Sequence, residues 1–149
     1  MKIALGADHG GFELKEEIKK YLETSGYEVK DFGTYSTESC DYPDIALPVA
    51  EAVAAKEFEF GILICGTGIG IGISANKVPG IRAALCSDTF SAHATREHNN
   101  ANILTMGQRV VGPGLAIDIV KTFLNAKFQG DRHQKRIDKI TAIEEKYSR

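Results

Sequence analysis

Phe60-Gly61-Ile62-Leu63-Ile64-Cys65-Gly66-Thr67-Gly68-Ile69-Gly70-Ile71-Gly72 is the stretch whose reading decides the fold of this 149-residue chain. Its first half is a continuous apolar run, the pattern of a strand buried on both faces and so of a parallel sheet. Its second half places glycine at 66, 68, 70 and 72, with a thiol just before the first and a hydroxyl, Thr67, between the first two. Ile73-Ser74-Ala75-Asn76-Lys77 is enough for a short helix before Pro79 stops it. A strand, a glycine loop and a helix start form an anion cradle, because unpaired backbone N–H groups and the helix dipole point into one concavity. A thiol at the lip of that cradle points to chemistry beside an anion.

On either side, strands alternate with helices. Lys2 to Asp8 reads as a buried strand, and the apolar residues Phe12, Leu14, Ile18 and Leu22 among Lys and Glu predict an amphipathic helix stopped near Gly26. Tyr27 to Phe32 alternates as a partly exposed strand. Gly33 to Tyr42 is a polar loop, and Pro43 opens a helix running to about Phe58. Arg82 to Asp88 reads as a fourth strand, Thr89 to Glu97 as a helix, and Ile103 to Gly107 as a fifth strand. Helices over Leu115 to Phe128 and His133 to Tyr147 follow, the last packing on a neighbouring subunit or on the domain's own edge. This order implies βαβ units in a parallel sheet with right-handed crossovers, in one domain spanning 1–149.

Ligands of such sheets sit beyond the carboxyl ends of the strands. Strand position alone puts Asp8-His9, Cys65 to Gly70, Asp88 and Gly107 to Arg109 there. His9 and His98, each following an element end, are read as facing the same crevice, which suits proton handling. Alone, a cysteine placed like Cys65 is more often a small buried hydrophobe, but the loop N–H groups and helix start would favour a thiolate at Cys65, a setting that Cys40 and Cys86 lack. Arg132 and Arg136, four apart, share one helical face, either as a solvated charge pair or as a phosphate grip that Arg109 could join. His93 reads as a surface or capping residue, and the role of His133 stays open. The glycine loop is not a strict GxGxxG, lies on the third strand rather than the first, and no GxxxxGK[ST] exists, which weighs against a nucleotide.

The net charge of −2 gives no reason to expect nucleic acid. No apolar run approaches the roughly 18 residues of a membrane span and no signal segment opens the chain, so no membrane is expected. Three cysteines without metal-type spacing read as reduced thiols in a cytoplasmic protein, with no metal ligand cluster.

Gly6-Ala7-Asp8-His9-Gly10-Gly11-Phe12, Asp41-Tyr42-Pro43-Asp44, Cys65-Gly66-Thr67-Gly68-Ile69-Gly70, Ala75-Asn76-Lys77 and His98-Asn99-Asn100-Ala101-Asn102 together resemble the B-type ribose-5-phosphate isomerases, across essentially the whole chain. The resemblance implies a Rossmann-like three-layer α/β/α sandwich with a five-stranded parallel sheet and a C-terminal helix. It implies a metal-free, cofactor-free aldose–ketose isomerase acting on a small sugar phosphate, a homodimer or tetramer with active sites shared across the dimer interface. It makes Cys65 the base between C1 and C2 and Gly66, Gly68, Ile69 and Gly70 the hole for the enediolate oxygen. His98 becomes the ring-opening residue, Asn99 and Asp8 sugar ligands, and His9, Arg132 and Arg136 the phosphate ligands. Arg109 is a further binding position, and Tyr42 and Thr67 line the sugar pocket. A branch of the family places a serine at the Thr67 position and a glutamate as base a few residues on; Ile71 stands about there and cannot take a proton, which leaves Cys65. Two other readings stay open: a hexose-6-phosphate isomerase for allose or galactose 6-phosphate, and a sugar-phosphate-binding module without catalysis.

Overall fold

The computed structural model describes residues 1–148. Its elements are β1 (Lys2–Ala7), α1 (Phe12–Thr24), β2 (Glu28–Asp31), α2 (Tyr42–Ala54), β3 (Phe60–Cys65), α3 (Ile69–Ala75), β4 (Ala83–Leu85), α4 (Thr89–Asn99), β5 (Ile103–Gly107), α5 (Pro113–Asn125) and α6 (Arg132–Tyr147). All strand pairs are parallel, in the order β2-β1-β3-β5-β4. The apolar run of β3 is explained by its central position. Ile62 and Ile64 enter one core with α1, α4 and α5, while Leu63 and Cys65 enter a second core with α2 and α3. Because both faces are covered, a polar residue at any of these four positions would be buried without water. The result is a three-layer α/β/α sandwich of the Rossmann-like kind.

Several boundaries differ from the sequence reading. The third helix begins at Ile69, not Ile73, because Gly68 at φ 80° turns the chain directly into it. β4 is only three residues long: Cys86 donates one last bond to Thr105, and Asp88 is already the cap of α4, accepting the Ser91 N–H at 2.6 Å. α2 stops at Ala54 rather than near Phe58, and α5 runs from Pro113 to Asn125 rather than from Leu115 to Phe128. α6 packs on the chain's own edge, with His133 and Ile137 buried towards α4. No helix among the described residues is long and apolar enough to cross a membrane.

β1 hydrogen-bonds β2 on one side and β3 on the other, so the chain reverses its direction of winding between β1 and β3. The crevice outside the carboxyl ends at such a switch point is where open α/β sheets bind ligands. Asp8 follows β1 there, and Cys65 ends β3.

Candidate active site

The glycine loop is held from three sides. The Gly68 N–H donates to the Cys65 sulfur at 3.1 Å, and the Gly68 carbonyl accepts the Thr105 hydroxyl at 2.9 Å. The Ile69 N–H donates to Thr67 Oγ1 at 3.2 Å. Beyond β5, the N–H groups of Gln108 and Arg109 donate to the carbonyls of Cys65 and Gly66, at 2.9 and 3.0 Å. This places the Arg109 side chain along the loop: a Cβ added to Gly66 would lie 3.8 Å from Arg109 Cδ. Gly107 must be glycine for this approach, since a Cβ there would sit 2.5 Å from Thr67 Cα.

Across the switch point, Asp8 is buried and its carboxylate accepts the Gly10 N–H at 2.9 Å. His9 Nδ1 accepts the Cys40 N–H at 3.1 Å, which leaves Nε2 to carry the proton and face outward as a donor. The Tyr42 ring lies against Gly70, within 2.6 Å of where a Cβ would stand. Asp8, His9, Tyr42, Cys65, Gly66, Thr67, Gly68, Ile69, Gly70 and Arg109 thus gather at the carboxyl ends of β1, β3 and β5, around a buried thiol. Cys86 is a different kind of cysteine: burial, with Asp88 nearby, pushes its thiol up to about 11, as suits an inert core residue. Cys40, half-buried in the loop before α2, contributes its backbone N–H to His9.

His98 is not in that crevice, contrary to the expectation drawn from its place after an element end. α4 runs antiparallel to the strands, so its last residues, His98 and Asn99, lie at the opposite edge of the sheet. There Gly61 pairs with Ile103 at the start of β5, whereas Cys65 pairs with Gly107 at its end. From Gly61 to Cys65 the strand rises about 13 Å at roughly 3.3 Å per residue. Arg132 and Arg136, both exposed, go with His98, because α6 begins beside the end of α4. The His133 ring, buried, stacks on the His98 ring at 4.4 Å between centroids and 13° between planes. Burial, with His98, Arg132 and Arg136 close by, holds the His133 imidazole below its ordinary value, and its Nε2 has no hydrogen-bond partner among the described residues. One chain therefore carries two separated groups: a thiol cradle with Asp8, His9, Tyr42 and Arg109, and a basic group of His98, Asn99, Arg132 and Arg136.

The sequence matches the family described as Ribose/Galactose Isomerase over residues 3–140. The chain belongs to that family. It is therefore an isomerase. It is 54% identical to ribose-5-phosphate isomerase B of Escherichia coli over 145 residues, 97% of each chain. Among solved structures, ribose-5-phosphate isomerase B of Clostridium thermocellum superposes with a TM-score of 0.98 at 61% identity, covering 99% of this chain and all of the other. The Mycoplasma genitalium ribose-5-phosphate isomerase B, solved with bound ribulose-5-phosphate, superposes with a TM-score of 0.93 at 43% identity, covering 97% and 96%.

Thr105 is a site residue that the sequence reading passed over. It is fully buried and holds the cradle from below. The signal was present: it is the one hydroxyl in the otherwise apolar run Ile103 to Met106. Gln108, whose Oε1 accepts the Leu14 N–H at 3.0 Å and so ties the first turn of α1 to the site loop, carried no such signal.

Proposed function

We propose that this chain interconverts ribose 5-phosphate and ribulose 5-phosphate through a cis-enediolate, with Cys65 as the base. The observation that carries the reading is the Cys65 sulfur at the switch point, receiving the Gly68 N–H at 3.1 Å inside a loop rich in further N–H groups. The thiolate takes the C2 proton of the open-chain aldose and the negative charge moves onto the C1 oxygen; the hydroxyl proton passes from O2 to O1, and the thiol returns its proton to C1 on the same face. Each preorganised donor at that oxygen contributes on the order of 3 kcal/mol to the transition state. Neighbouring Tyr42, Thr67 and Asp8 hold the sugar.

His98 opens the furanose ring, Asn99 binds sugar hydroxyls, and Arg132, Arg136, His9 and Arg109 grip the phosphate, whose remote binding energy positions the reacting carbons. Since His98 and the α6 arginines stand a sheet's depth from Cys65 of the same chain, they act with Cys65 of a second copy. Each active site then takes a cradle from one chain and a basic group from the other. Self-association beside the cradle is further supported by the exposed apolar side chains of Ile69, Ile73 and Leu85.

Solvent-deuterium wash-in at C1 of ribulose 5-phosphate reads the proton transfer without any ring-opening step. Cys65→Ala is expected to slow it by about 10²- to 10⁴-fold, the range of general-base catalysis. Wash-in near the unmodified rate would rule out the thiol as base.

A further inference from the structure

In the stretch His98 to Asn102 the proposed chemistry uses only the first two residues, yet the structure holds the rest by a dense set of bonds. Asn100 ends α4 in the left-handed conformation, at φ 47° and ψ 45°, and its N–H donates to the Thr95 carbonyl. Arg82, at the start of the β4 segment, donates from Nε to the carbonyls of Asn99 and Asn100, at 3.0 and 3.1 Å, and from Nη2 to the Asn100 carbonyl at 2.9 Å. Arg96, one turn before the cap, donates from Nη1 to Asn100 Oδ1 at 2.9 Å and to the Ala101 carbonyl at 2.7 Å. Asn102 closes the set. Its Oδ1 accepts the Arg82 N–H at 2.8 Å and its Nδ2 donates to the Gly80 carbonyl at 2.9 Å.

Neither guanidinium makes an ion pair with a carboxylate within 4.0 Å among the described residues. Arg96 instead lies over the Phe60 ring, 4.6 Å from its centroid, with the Phe123 ring, which packs edge-on against Phe60, at 5.7 Å. Burial and the nearby Arg82 both disfavour its charge. The Glu144 carboxylate, beyond ion-pair distance, favours the charge of Arg82; even so, two cations brought together without a direct ion pair are costly for a helix end that a glycine or a single cap could finish. What they add is rigidity: a planar fork bonded to consecutive carbonyls fixes the direction in which α4 ends, which a lysine's point charge does not.

We propose that Arg82 and Arg96, acting through Asn100, are positioning residues that aim His98 at the sugar ring bound by the partner cradle. This rests on the ring-opening role given to His98 above. The two guanidiniums touch no substrate; they set the angle and reach of the last turn of α4, from which His98 projects.

A double-mutant cycle tests it. Arg82→Gln is expected to lower kcat/KM for ribose 5-phosphate by about tenfold in the otherwise intact chain, and by less than about threefold in a His98→Asn background. Arg82→Lys, which keeps one donor, is expected to fall between, and it carries the same cycle should Arg82→Gln melt below the assay temperature. Asn100→Gly preserves the left-handed backbone and removes only the Arg96 acceptor, so it too should lose activity only when His98 is present. An Arg82 effect of the same size in both backgrounds, or no effect in either, overturns the positioning role. A His98→Asn variant with unchanged kcat/KM overturns the ring-opening reading itself, and the positioning role with it.

Discussion

Gly68→Ala perturbs the cradle at its tightest point. Gly68 sits at φ 80°, where a side chain costs about 1–2 kcal/mol. An added Cβ would lie 2.6 Å from the Met106 carbonyl carbon and 2.8 Å from its Cα. Those atoms belong to β5, paired on both sides by β3 and β4, so the strand cannot yield and the loop must. Overpacking of that kind costs about 1–3 kcal/mol, giving a total loss of about 2–5 kcal/mol. If the loop lifts to relieve the clash, the Gly68 N–H leaves the Cys65 sulfur and the Thr105 bond breaks. The activity loss should then match that of a missing oxyanion-hole donor, about 10²- to 10³-fold in kcat. Gly66→Ala, two residues away, is the control: its Cβ would meet nothing nearer than 3.8 Å, and its stability should change by no more than about 0.5 kcal/mol. The chain has no tryptophan, so urea unfolding is followed by far-UV circular dichroism, alongside initial rates on ribose 5-phosphate. If Gly68→Ala matches Gly66→Ala in both stability and rate, the loop is not held as described.

Complementation tests the shared site. Cys65→Ala and His98→Asn chains, each nearly inactive alone, should recover about a quarter of the unmodified activity when unfolded, mixed in equal amounts and refolded, because half of the random dimers carry one intact composite site of two; no recovery would refute sharing. Stability below pH 4 tests the Lys15–Asp31 pair, where Lys15 Nζ, fully buried, donates to the carboxylate at 2.6 and 2.7 Å. Burial alone would raise the Asp31 carboxyl, but the Lys15 bond, the Gly33 N–H and the charges of Lys15 and Lys19 outweigh it and hold it below the ordinary 3.8. A carboxyl lowered by folding contributes stability that is full above the unfolded value and is lost as pH falls through the folded one. Asp31→Asn should therefore cost about 3 kcal/mol at pH 7 and flatten the acid limb of a urea-midpoint profile; an unchanged limb would show that other carboxylates govern it.

The fold was legible where a local pattern had one physical meaning. Six consecutive apolar residues at 60–65 admit only a strand with both faces covered, and the strand-helix alternation around them admits little besides a parallel sheet. The start of α3 was missed because Gly68, Gly70 and Gly72 read as loop, each costing a helix up to about 1 kcal/mol. Tertiary packing overrides that preference: Ile71 is buried, and Gly72 lets the Thr105 side chain approach to 3.1 Å of the missing Cβ. The insertion of β5 between β3 and β4 has no local signature either. Nothing within Ala83 to Leu85 distinguishes an edge strand from an inner one, and the choice is made by which faces α4 and α5 must cover together.

His98 shows where strand-end reasoning stops. The rule that ligands meet the carboxyl ends of strands transfers to residues following a strand, as with Asp8 and Cys65, but reverses for residues ending a helix. A crossover helix of eleven residues travels about 16 Å back along the sheet, the depth that a six-residue strand gained. A histidine at the end of α4 is therefore as far from Cys65 as the sheet is deep, and no side chain spans that distance. Yet the residues around it are not those of an idle helix end: two arginines on α6 face outward beside it, His133 stacks on it, and Arg82 and Arg96 fix the turn behind it. The same fold that separates the two groups within one chain leaves apolar side chains exposed beside the cradle, at Ile69, Ile73 and Leu85. A second chain laid there could bring its basic group over the first chain's thiol, so dimerisation would be part of the catalytic design.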